Sequence, residues 1–284
     1  MKKALIIIGV SIVSITIVLF SLFWIYIHPF MEAMKVMEVS TIDSTLTIFG
    51  GGGGNSGILS SDSLVVVIDT KVDQKSADSL YKLTKVIAGK KKILVINTHI
   101  HTDHVFGNKL FAGSDIWAGG NYTAEQWTKE NGKEGVPNVW IKTKRDIPMG
   151  LDTLTVFNLG ENVHTASDVM VYSHRRKMLF TGDVVLNHTN PVLMGVADPL
   201  AYIKTFDKLE NTLVINAVVP GHGAVGGIEI INDFRTYFED MKSAALDPTK
   251  KDAMKKKYND WKGIPGAMSP GATIRKFEKI LKKA

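Results

Sequence analysis

Apolar residues occur along the chain in patterns that are each typical of one kind of element. Residues 4–27 are an uncharged run of 24 residues, about 36 Å long as a helix, against roughly 30 Å of bilayer hydrocarbon. Two β-branched runs, Leu64–Ile68 and Ile93–Ile96, predict buried strands, and Gln74–Ile87 between them places apolar residues on one helical face. The order strand, helix, strand predicts a partly parallel, layered α/β architecture.

The second half of the chain continues these patterns. Residues 170–173 and 178–180 are apolar runs on either side of a polar turn, and they predict a β-hairpin. Asp198 followed by Pro199 predicts the start of a helix that continues to Leu209, because proline suits the first helical position. A short strand and a further helix are predicted at residues 218–219 and 228–246.

The uncharged run near the amino terminus predicts a membrane anchor over residues 1–30. Lys2 and Lys3 precede the run, and the positive-inside bias therefore predicts a single pass of the cytoplasmic membrane with the remaining body extracytoplasmic. A cleaved signal peptide has an apolar stretch of roughly 7 to 15 residues and a small-residue cleavage site, which residues 27–30 do not offer. We expect an uncleaved signal-anchor that contacts the membrane through residues 4–27, with secretion after signal cleavage as the alternative.

Charge and composition limit the chemistry of the rest. The net charge of +6 divides into +2 over residues 1–30, −4 over residues 31–241 and +8 over residues 242–283. A weakly acidic body with a basic tail lacks the basic surface expected for nucleic acid, so that partner is disfavoured. The absence of cysteine leaves histidine and carboxylate as metal ligands. We divide the chain into an anchor, a main domain over residues 31–245 and a basic helical tail over residues 246–284.

Five consecutive glycines, Gly50–Gly54, form the one low-complexity stretch. A glycine-rich linker is expected between domains, but strand-like sequence lies on both sides of this one. A tight loop at the mouth of a pocket, where the backbone approaches another group closely, is the second interpretation. The sequence leaves both open.

Three histidines and an aspartate lie within six residues: His99, His101, Asp103 and His104. The predicted strand that ends at Ile96 leads directly into them, and α/β sheets usually bind ligands at the carboxyl ends of their strands. In extended backbone, side chains two residues apart point the same way, so His99 and His101 can converge on one ion. Burying several titratable groups together is costly unless they are paired or bound to metal. The cluster therefore predicts a metal site.

Three more polar residues repeat this arrangement, since each follows an apolar run: His164, Asp183 and His222. Alone, each would be an ordinary cap or turn residue, but their recurrence at strand ends favours one shared site. The complete set contains five histidines and two aspartates. Nitrogen and oxygen donors of this kind suit zinc and, less exclusively, iron or manganese.

The motif His99-x-His101-x-Asp103-His104, followed in order by His164, Asp183 and Gly221-His222-Gly223, resembles the metallo-β-lactamase superfamily over roughly residues 40–245. The resemblance implies an αββα sandwich with a two-metal site along one edge. It implies two Zn²⁺ per chain, with iron or manganese as alternatives. By position, one ion would be held by His99, His101 and His164, the other by Asp103, His104 and His222, with Asp183 as a bridge between them.

The same resemblance implies roles beyond the direct ligands. Asp69 matches an aspartate that supports the site from behind the ligands, a role that metal-bound histidines commonly require. Two metal ions close together make hydroxide available near neutral pH. In this mechanism the bridging hydroxide attacks the substrate, and Asp103 is the catalytic residue that orients it and carries a proton to the leaving group.

The family has several branches, and the residue at position 183 helps to separate them. Authentic β-lactamases of the family carry cysteine or serine where this chain has Asp183, which favours the glyoxalase II-like and lactonase-like branch. We therefore expect a hydrolase of a small-molecule carboxylic ester, thioester, lactone or lactam. The alternatives are an iron-dependent persulfide dioxygenase-like enzyme, a β-lactamase, and a phosphodiesterase or nuclease of the same superfamily.

Overall fold

A computed structural model describes the backbone of residues 2–160 and 162–283, and the side chains of the same residues except 2–11, 30, 33 and 34. The helices are α1 (Lys2–Leu22), α2 (His28–Lys35), α3 (Gln74–Ala88), α4 (Thr102–Val105), α5 (Ala124–Asn131), α6 (Pro199–Thr212), α7 (Glu229–Leu246), α8 (Lys251–Lys257) and α9 (Pro270–Leu281). A π-helical turn, Phe23–Ile27, separates α1 from α2, and short 3₁₀ segments lie at Phe106–Phe111 and Pro248–Lys250.

The strands form two sheets. They are β1 (Met37–Asp43), β2 (Leu46–Gly51), β3 (Ser56–Ser60), β4 (Leu64–Ile68), β5 (Lys92–Ile96), β6 (Asp115–Gly119), β7 (Val139–Ile141), β8 (Lys144–Met149), β9 (Asp152–Asn158), β10 (Val169–Ser173), β11 (Met178–Gly182) and β12 (Ala217–Pro220). One sheet has the order β1 to β7, and the other has the order β12-β11-β10-β9-β8. Pairing from β4 to β7 is parallel, as is that of β11 with β12, so the predicted partly parallel architecture is confirmed.

The buried apolar side chains define the layers. Residues of both sheets, among them Val66 and Val171, share the central core. Leu80 of α3 packs with the opposite face of the first sheet, while Phe206 of α6 and Phe238 of α7 pack outside the second. Each sheet therefore buries one face against the other sheet and one face against helices. The order of layers is helix, sheet, sheet, helix.

Local sequence signals account for most element boundaries. The strand predicted at Leu64–Ile68 is observed with those bounds, and the predicted hairpin is formed by β10 and β11. Asp198 caps α6 by accepting a hydrogen bond from the backbone N–H of Leu200, with Pro199 in the first turn. Gly50 and Gly51 end β2, and the other three glycines lie in the tight connection between β2 and β3. The interpretation of the glycine run as a loop is confirmed, and its interpretation as a linker between domains is wrong.

The prediction of a membrane anchor over residues 1–30 is not supported in this way. The side chains of residues 4–11, within the predicted anchor, lie outside the described part of the structure. Over the residues that could be searched, no helix combines the length and the apolar character needed to cross a membrane. The predicted anchor and its signal-anchor character therefore gain no support, and the extracytoplasmic location stays a prediction.

The basic carboxyl-terminal segment packs on the second sheet's helices. Tyr258, Ile274 and Phe277 are buried in the same core cluster as Phe234 and Tyr237 of α7. Trp261 stacks on Tyr237 with ring centroids 4.8 Å apart. This packing brings the loop between α8 and α9 against the residues that follow β11.

Candidate metal centre

The seven predicted ligands come together at one edge of the two sheets. His99 and His101 lie in the turn after β5, and Asp103 and His104 lie in α4, which follows directly. The other three follow strands of the second sheet: His164 after β9, Asp183 after β11 and His222 after β12. These three strands end at the same edge because β9 and β11 both run antiparallel to β10, and β12 runs parallel to β11. The seven side chains therefore reach one site from five different segments of the chain.

Three histidine nitrogens converge in the first ligand group. Nδ1 of His101 lies 3.1 Å from Nε2 of His99 and 3.0 Å from Nε2 of His164. His99 and His164 are buried, and His101 lines the adjoining cavity. These three side chains, with a carboxylate oxygen of Asp183, offer ligand atoms that all lie within 4.8 Å of one another.

The second ligand group contains one carboxylate and two histidines. Oδ2 of Asp103 lies 3.1 Å from Nε2 of His222 and 3.6 Å from Nε2 of His104. The three ligand atoms lie within 4.8 Å of one another. Nitrogen and oxygen donors at this spacing suit a second divalent cation.

The carboxylate of Asp183 lies between the two groups. Its Oδ2 is 3.6 Å from Nε2 of His164, and its Oδ1 is 3.1 Å from Nε2 of His104 and 3.5 Å from that of His222. One oxygen therefore faces each group. This is the arrangement that a bridging ligand requires.

Two buried atoms at the centre of the site have no hydrogen-bond partner among the described groups: Nε2 of His104 and Oδ1 of Asp183. They lie 3.1 Å apart, but the contact does not have the geometry of a hydrogen bond. Buried polar atoms are rarely left in this state, because each costs free energy without a partner. Both atoms point where a cation would accept their lone pairs, so the residues fit a bound metal.

The hydrogen bonds behind the ligands determine which ring nitrogens carry protons. The hydroxyl of Thr98 donates to Oδ2 of Asp69 and is 3.1 Å from Nδ1 of His99, so it accepts a hydrogen bond from that nitrogen. Oδ2 of Asp69 also accepts from Nδ1 of His104 at 2.7 Å. With its Nδ1 protonated in this way, His99 presents an unprotonated Nε2 to the site. Asp69 holds the Nδ1 proton of His104, so a bound metal would displace only the proton on its Nε2. Asp69 therefore lies behind the ligands, within hydrogen-bond distance of Thr98 and His104.

Electrostatics differ between the two groups. Burial lowers the pKa of His99 well below its usual value, and the charge of His104 acts in the same direction. Burial also lowers the pKa values of His101 and His164. The three histidines of the first group are therefore neutral near pH 7, and neutral imidazole is the form that binds metal.

The histidines of the second group lie beside two carboxylates, Asp103 and Asp183. Burial opposes the charged form of His222, but Asp183 and Asp103 outweigh it and raise the pKa of His222 to about 9. Burial likewise disfavours ionised Asp103, but His104 and His222 lower its pKa to about 2. Cationic histidines thus compensate the carboxylate charge in the protein alone, and a divalent cation would do the same.

A family of known proteins matches the part of the chain that carries the site. The family model described as "Metallo-beta-lactamase superfamily" matches residues 49–222. The chain belongs to this superfamily. The match covers the glycine loop, the histidine cluster and the last ligand, His222. The chain is accordingly a metal-dependent hydrolase of the superfamily.

Two curated members of the superfamily are similar in sequence. One is named metallo-beta-lactamase type 2, from Bacillus cereus, and is 29% identical over 177 residues, which are 61% of this chain and 68% of that protein. Another of the same name, from Bacillus sp. (strain 170), is 28% identical over 177 residues, which are 61% of this chain and 67% of that protein.

Solved structures share the fold. A metallo-beta-lactamase from Pontibacter korlensis aligns with a TM-score of 0.63 and 24% identity, covering 72% of this chain and 100% of that one. The sec-alkylsulfatase Pisa1 from Pseudomonas sp. aligns with a TM-score of 0.64 and 17% identity, covering 87% of this chain and 50% of that one. At these identities the likeness concerns the fold alone.

Within this metallo-β-lactamase fold, sequence reasoning missed the residues that hold His164. The hydroxyl of Tyr202, in α6, lies 3.0 Å from Nδ1 of His164 and is completely buried. The carboxylate of Asp168 accepts hydrogen bonds from the backbone N–H groups of His164 and Thr165. The short spacing of His164 and Asp168 was an available signal for a local turn. Nothing in the sequence linked Tyr202 to this site, because the contact depends on how α6 packs.

Sequence reasoning also missed Lys71, a lysine with no exposed surface. Its ammonium donates hydrogen bonds to the carbonyl oxygens of Phe49, Gly51 and Gly54 at 2.8, 2.7 and 2.9 Å, and so holds the glycine loop in place. Burial lowers the pKa of Lys71 to about 7, with Asp69 opposing. A Cβ on Gly54 would lie 2.1 Å from Cε1 of His104, so a larger residue there would collide with a predicted ligand.

A cavity of about 830 Å³ adjoins the centre. Its polar wall includes the ligands His101, Asp103, His164, Asp183 and His222. The rest of its lining is largely apolar and includes Tyr26, Pro29, Val72, Leu186, Val192, Met194 and Met268. A cavity of this size, next to convergent polar groups, is typical of a small-molecule site.

Proposed function

We propose that the chain is a dinuclear zinc hydrolase that cleaves a carboxylic ester, thioester, lactone or lactam bond. The observation that carries this proposal is the position of Asp183, with one carboxylate oxygen toward each of two ligand groups. An aspartate in this position is also the reason for assigning the chain to the glyoxalase II-like and lactonase-like branch of its superfamily.

The two ligand groups would each hold one Zn²⁺, the first through His99, His101 and His164, the second through Asp103, His104 and His222, and Asp183 would contact both. When bound, two zinc ions supply Lewis acidity and make hydroxide available near neutral pH. The contribution of the protein is to fix the ligands in their orientations and to exclude bulk water from them. The orientation of the ligands is fixed by contacts with the Nδ1 atoms of three histidines, and these contacts are made by Asp69, Thr98 and Tyr202.

Asp103 is the group best placed to handle a proton during turnover. It lines the cavity, its side chain keeps about a fifth of its surface exposed, and its Oδ2 is 3.1 Å from Nε2 of His222. From this position it can orient the attacking water and then pass a proton to the departing alcohol, thiol or amine. No serine or cysteine nucleophile is required.

A lactam substrate deserves separate consideration because both curated relatives are named metallo-beta-lactamase type 2. The aspartate at position 183 favours esters and thioesters, whereas these relatives favour a β-lactam. A direct comparison of the hydrolysis rates of a β-lactam with those of esters and thioesters separates the two substrate classes.

The test combines metal analysis with a substrate panel on the purified full chain. Elemental analysis should give close to two zinc ions per chain. Nitrocefin, S-lactoylglutathione, homoserine lactones and p-nitrophenyl esters represent the proposed bonds, and bis-p-nitrophenyl phosphate represents a phosphodiesterase. Hydrolysis of one of the acyl substrates that disappears with a chelator and returns with Zn²⁺ would support the proposal.

Other results would assign a different member of the superfamily. Iron as the bound metal, with oxygen consumption on a persulfide and no acyl hydrolysis, would replace the hydrolase with a dioxygenase-like enzyme. Cleavage of the phosphodiester alone would replace it with a nuclease-type activity. Stoichiometry at or below one metal in an active enzyme would contradict the dinuclear centre.

A further inference from the structure

One lysine lines the cavity beside the centre and has no part in the proposed reaction. Among the described residues that line this cavity, Lys262 is the one lysine or arginine. Its side chain is exposed, and among the described residues no carboxylate lies within 4.0 Å of its ammonium group. It lies outside residues 49–222, over which the family model matches. Lys262 therefore belongs to the carboxyl-terminal segment and not to the matched part of the domain.

The backbone at Lys262 is held firmly against the segment that follows Asp183. Its N–H donates to the carbonyl of His188 at 2.9 Å, and its own carbonyl accepts from the N–H of Asn190 at 2.8 Å. The side-chain amide of Asn190 donates to the carbonyls of Trp261 and Lys262 at 3.1 and 3.3 Å. The connection is thus a short parallel bridge rather than a loose contact.

Two further contacts keep this loop in one conformation. Trp261 stacks on Tyr237 and lies face to face with the ring of His188, with centroids 4.8 and 5.8 Å apart. A Cβ on Gly263 would lie 2.2 Å from the carbonyl oxygen of Met268, so the turn after Lys262 admits glycine alone at this backbone position. The lysine is consequently attached to a rigid base, which reduces the entropy lost when it binds a ligand.

The rest of the cavity wall indicates what else a ligand must present. The cavity lining also includes apolar side chains, among them Val72, Leu186, Val192 and Met268. The carboxylates among the described lining residues, Asp103 and Asp183, both belong to the metal centre. An anionic group on a ligand would therefore find its complementary charge either at the metals or at Lys262.

We infer that Lys262 is a specificity-determining residue that binds an anionic group, such as a carboxylate, on a substrate whose body is apolar. The scissile acyl bond lies at the metal centre, the apolar body lies along the apolar wall, and the anion pairs with the ammonium of Lys262. This inference rests on the proposed hydrolase function, whose substrate class it narrows to amphiphilic acids and their derivatives.

The test compares two esters that differ in one charge. Mono-p-nitrophenyl suberate carries a carboxylate at the far end of the acyl chain, and p-nitrophenyl octanoate has the same chain length without it. In the full-length Lys262→Gln enzyme, we expect KM for the suberate ester to rise about fivefold, in the range of a solvent-accessible ion pair. The octanoate KM and both kcat values should stay unchanged, because the lost contact is made equally in the ground and transition states.

Matched variants separate a specific contact from a general effect. Lys262→Arg keeps the charge and should retain the preference for the suberate ester. Lys208→Gln removes the same charge from an exposed position of α6 and should leave both esters unaffected. Equal changes for the two esters in Lys262→Gln, or no change, would overturn the inference.

A binding measurement keeps this inference apart from the proposed function. Suberamic acid and octanamide are stable analogues of the two esters, and titration calorimetry gives their affinities without turnover. Weaker binding of suberamic acid alone to Lys262→Gln supports the role of Lys262 even if wild-type enzyme cleaves neither ester, in which case the proposed ester hydrolysis fails by itself. Identical affinities in wild type and Lys262→Gln would contradict the role of Lys262 whatever the activity.

Discussion

Oδ2 of Asp69 lies 2.7 Å from Nδ1 of His104, and both side chains are buried. The same carboxylate accepts hydrogen bonds from the backbone N–H and the hydroxyl of Thr98, at 2.8 and 2.7 Å. Through Thr98 it also determines the protonation of His99. One carboxylate therefore controls one histidine in each of the two ligand groups.

Substitution of Asp69 by asparagine tests this relationship. Each carboxylate oxygen accepts hydrogen bonds, so either orientation of the amide places its NH₂ group against a donor from Thr98 or His104. We expect metal affinity to fall about 10- to 100-fold, as for other residues behind metal ligands. Titration with a competing chelator gives the affinity, and Asp62→Asn, an exposed position, is the control. Unchanged affinity in Asp69→Asn would show that the carboxylate is dispensable.

Asp183→Ala should lower metal content, because it removes the carboxylate that faces both ligand groups. We expect the stoichiometry to fall from near two toward one or below, while the far-ultraviolet circular dichroism spectrum stays unchanged. Elemental analysis after dialysis measures the loss. If Asp183→Ala keeps wild-type occupancy and activity, the assignment of Asp183 as the bridging ligand is wrong.

Asp103→Asn should keep the fold and lose most turnover. The amide fills the same space, but it cannot accept a proton as the carboxylate can, and loss of a general base typically costs about 10²- to 10⁴-fold. Steady-state kinetics on the best substrate of the panel measures the effect. Metal analysis of the same sample separates a loss of chemistry from a loss of metal, and kcat within about twofold of wild type would rule out this role.

Lys71→Met should destabilise the protein and disturb the glycine loop. Methionine fills a similar volume but leaves three carbonyl oxygens without their donor. The expected loss in free energy of unfolding is about 2 to 4 kcal/mol. Denaturant titration measures it, with Lys75→Met, an exposed position of α3, as the control. A loss no greater than that of the control would contradict the role assigned to Lys71.

The pH dependence of stability gives an independent check on Lys71. Its pKa in the folded protein is about 7, below the ordinary value of 10.5, so the unfolded chain binds this proton more tightly. The contribution of Lys71 to the free energy of unfolding therefore falls as the pH drops from about 10.5 to about 7 and is constant below that. The change in the free energy of unfolding that Lys71 causes between about pH 7 and about pH 10.5 should be absent from Lys71→Met. Parallel pH profiles for the two proteins would place the pKa of Lys71 near its ordinary value.

Local patterns were sufficient to predict several strands and the candidate ligands that follow them. Apolar runs such as Leu64–Ile68 predict strands because burial on both faces requires continuous apolar sequence. His99, His101 and His104 were recognised because they follow such a run within a few residues. The strand and the spacing of the ligands are thus both encoded within a few consecutive residues, where the sequence pattern is visible.

Tertiary structure alone decided the relationships between distant segments. Asp183 faces His104 and His164 because β5, β9 and β11 end at the same edge, which depends on the order and the stacking of two sheets. The burial of Lys71, a residue type that is normally exposed, follows from the path of the glycine loop. Such contacts join residues from 17 to 79 positions apart, and no local periodicity carries that information.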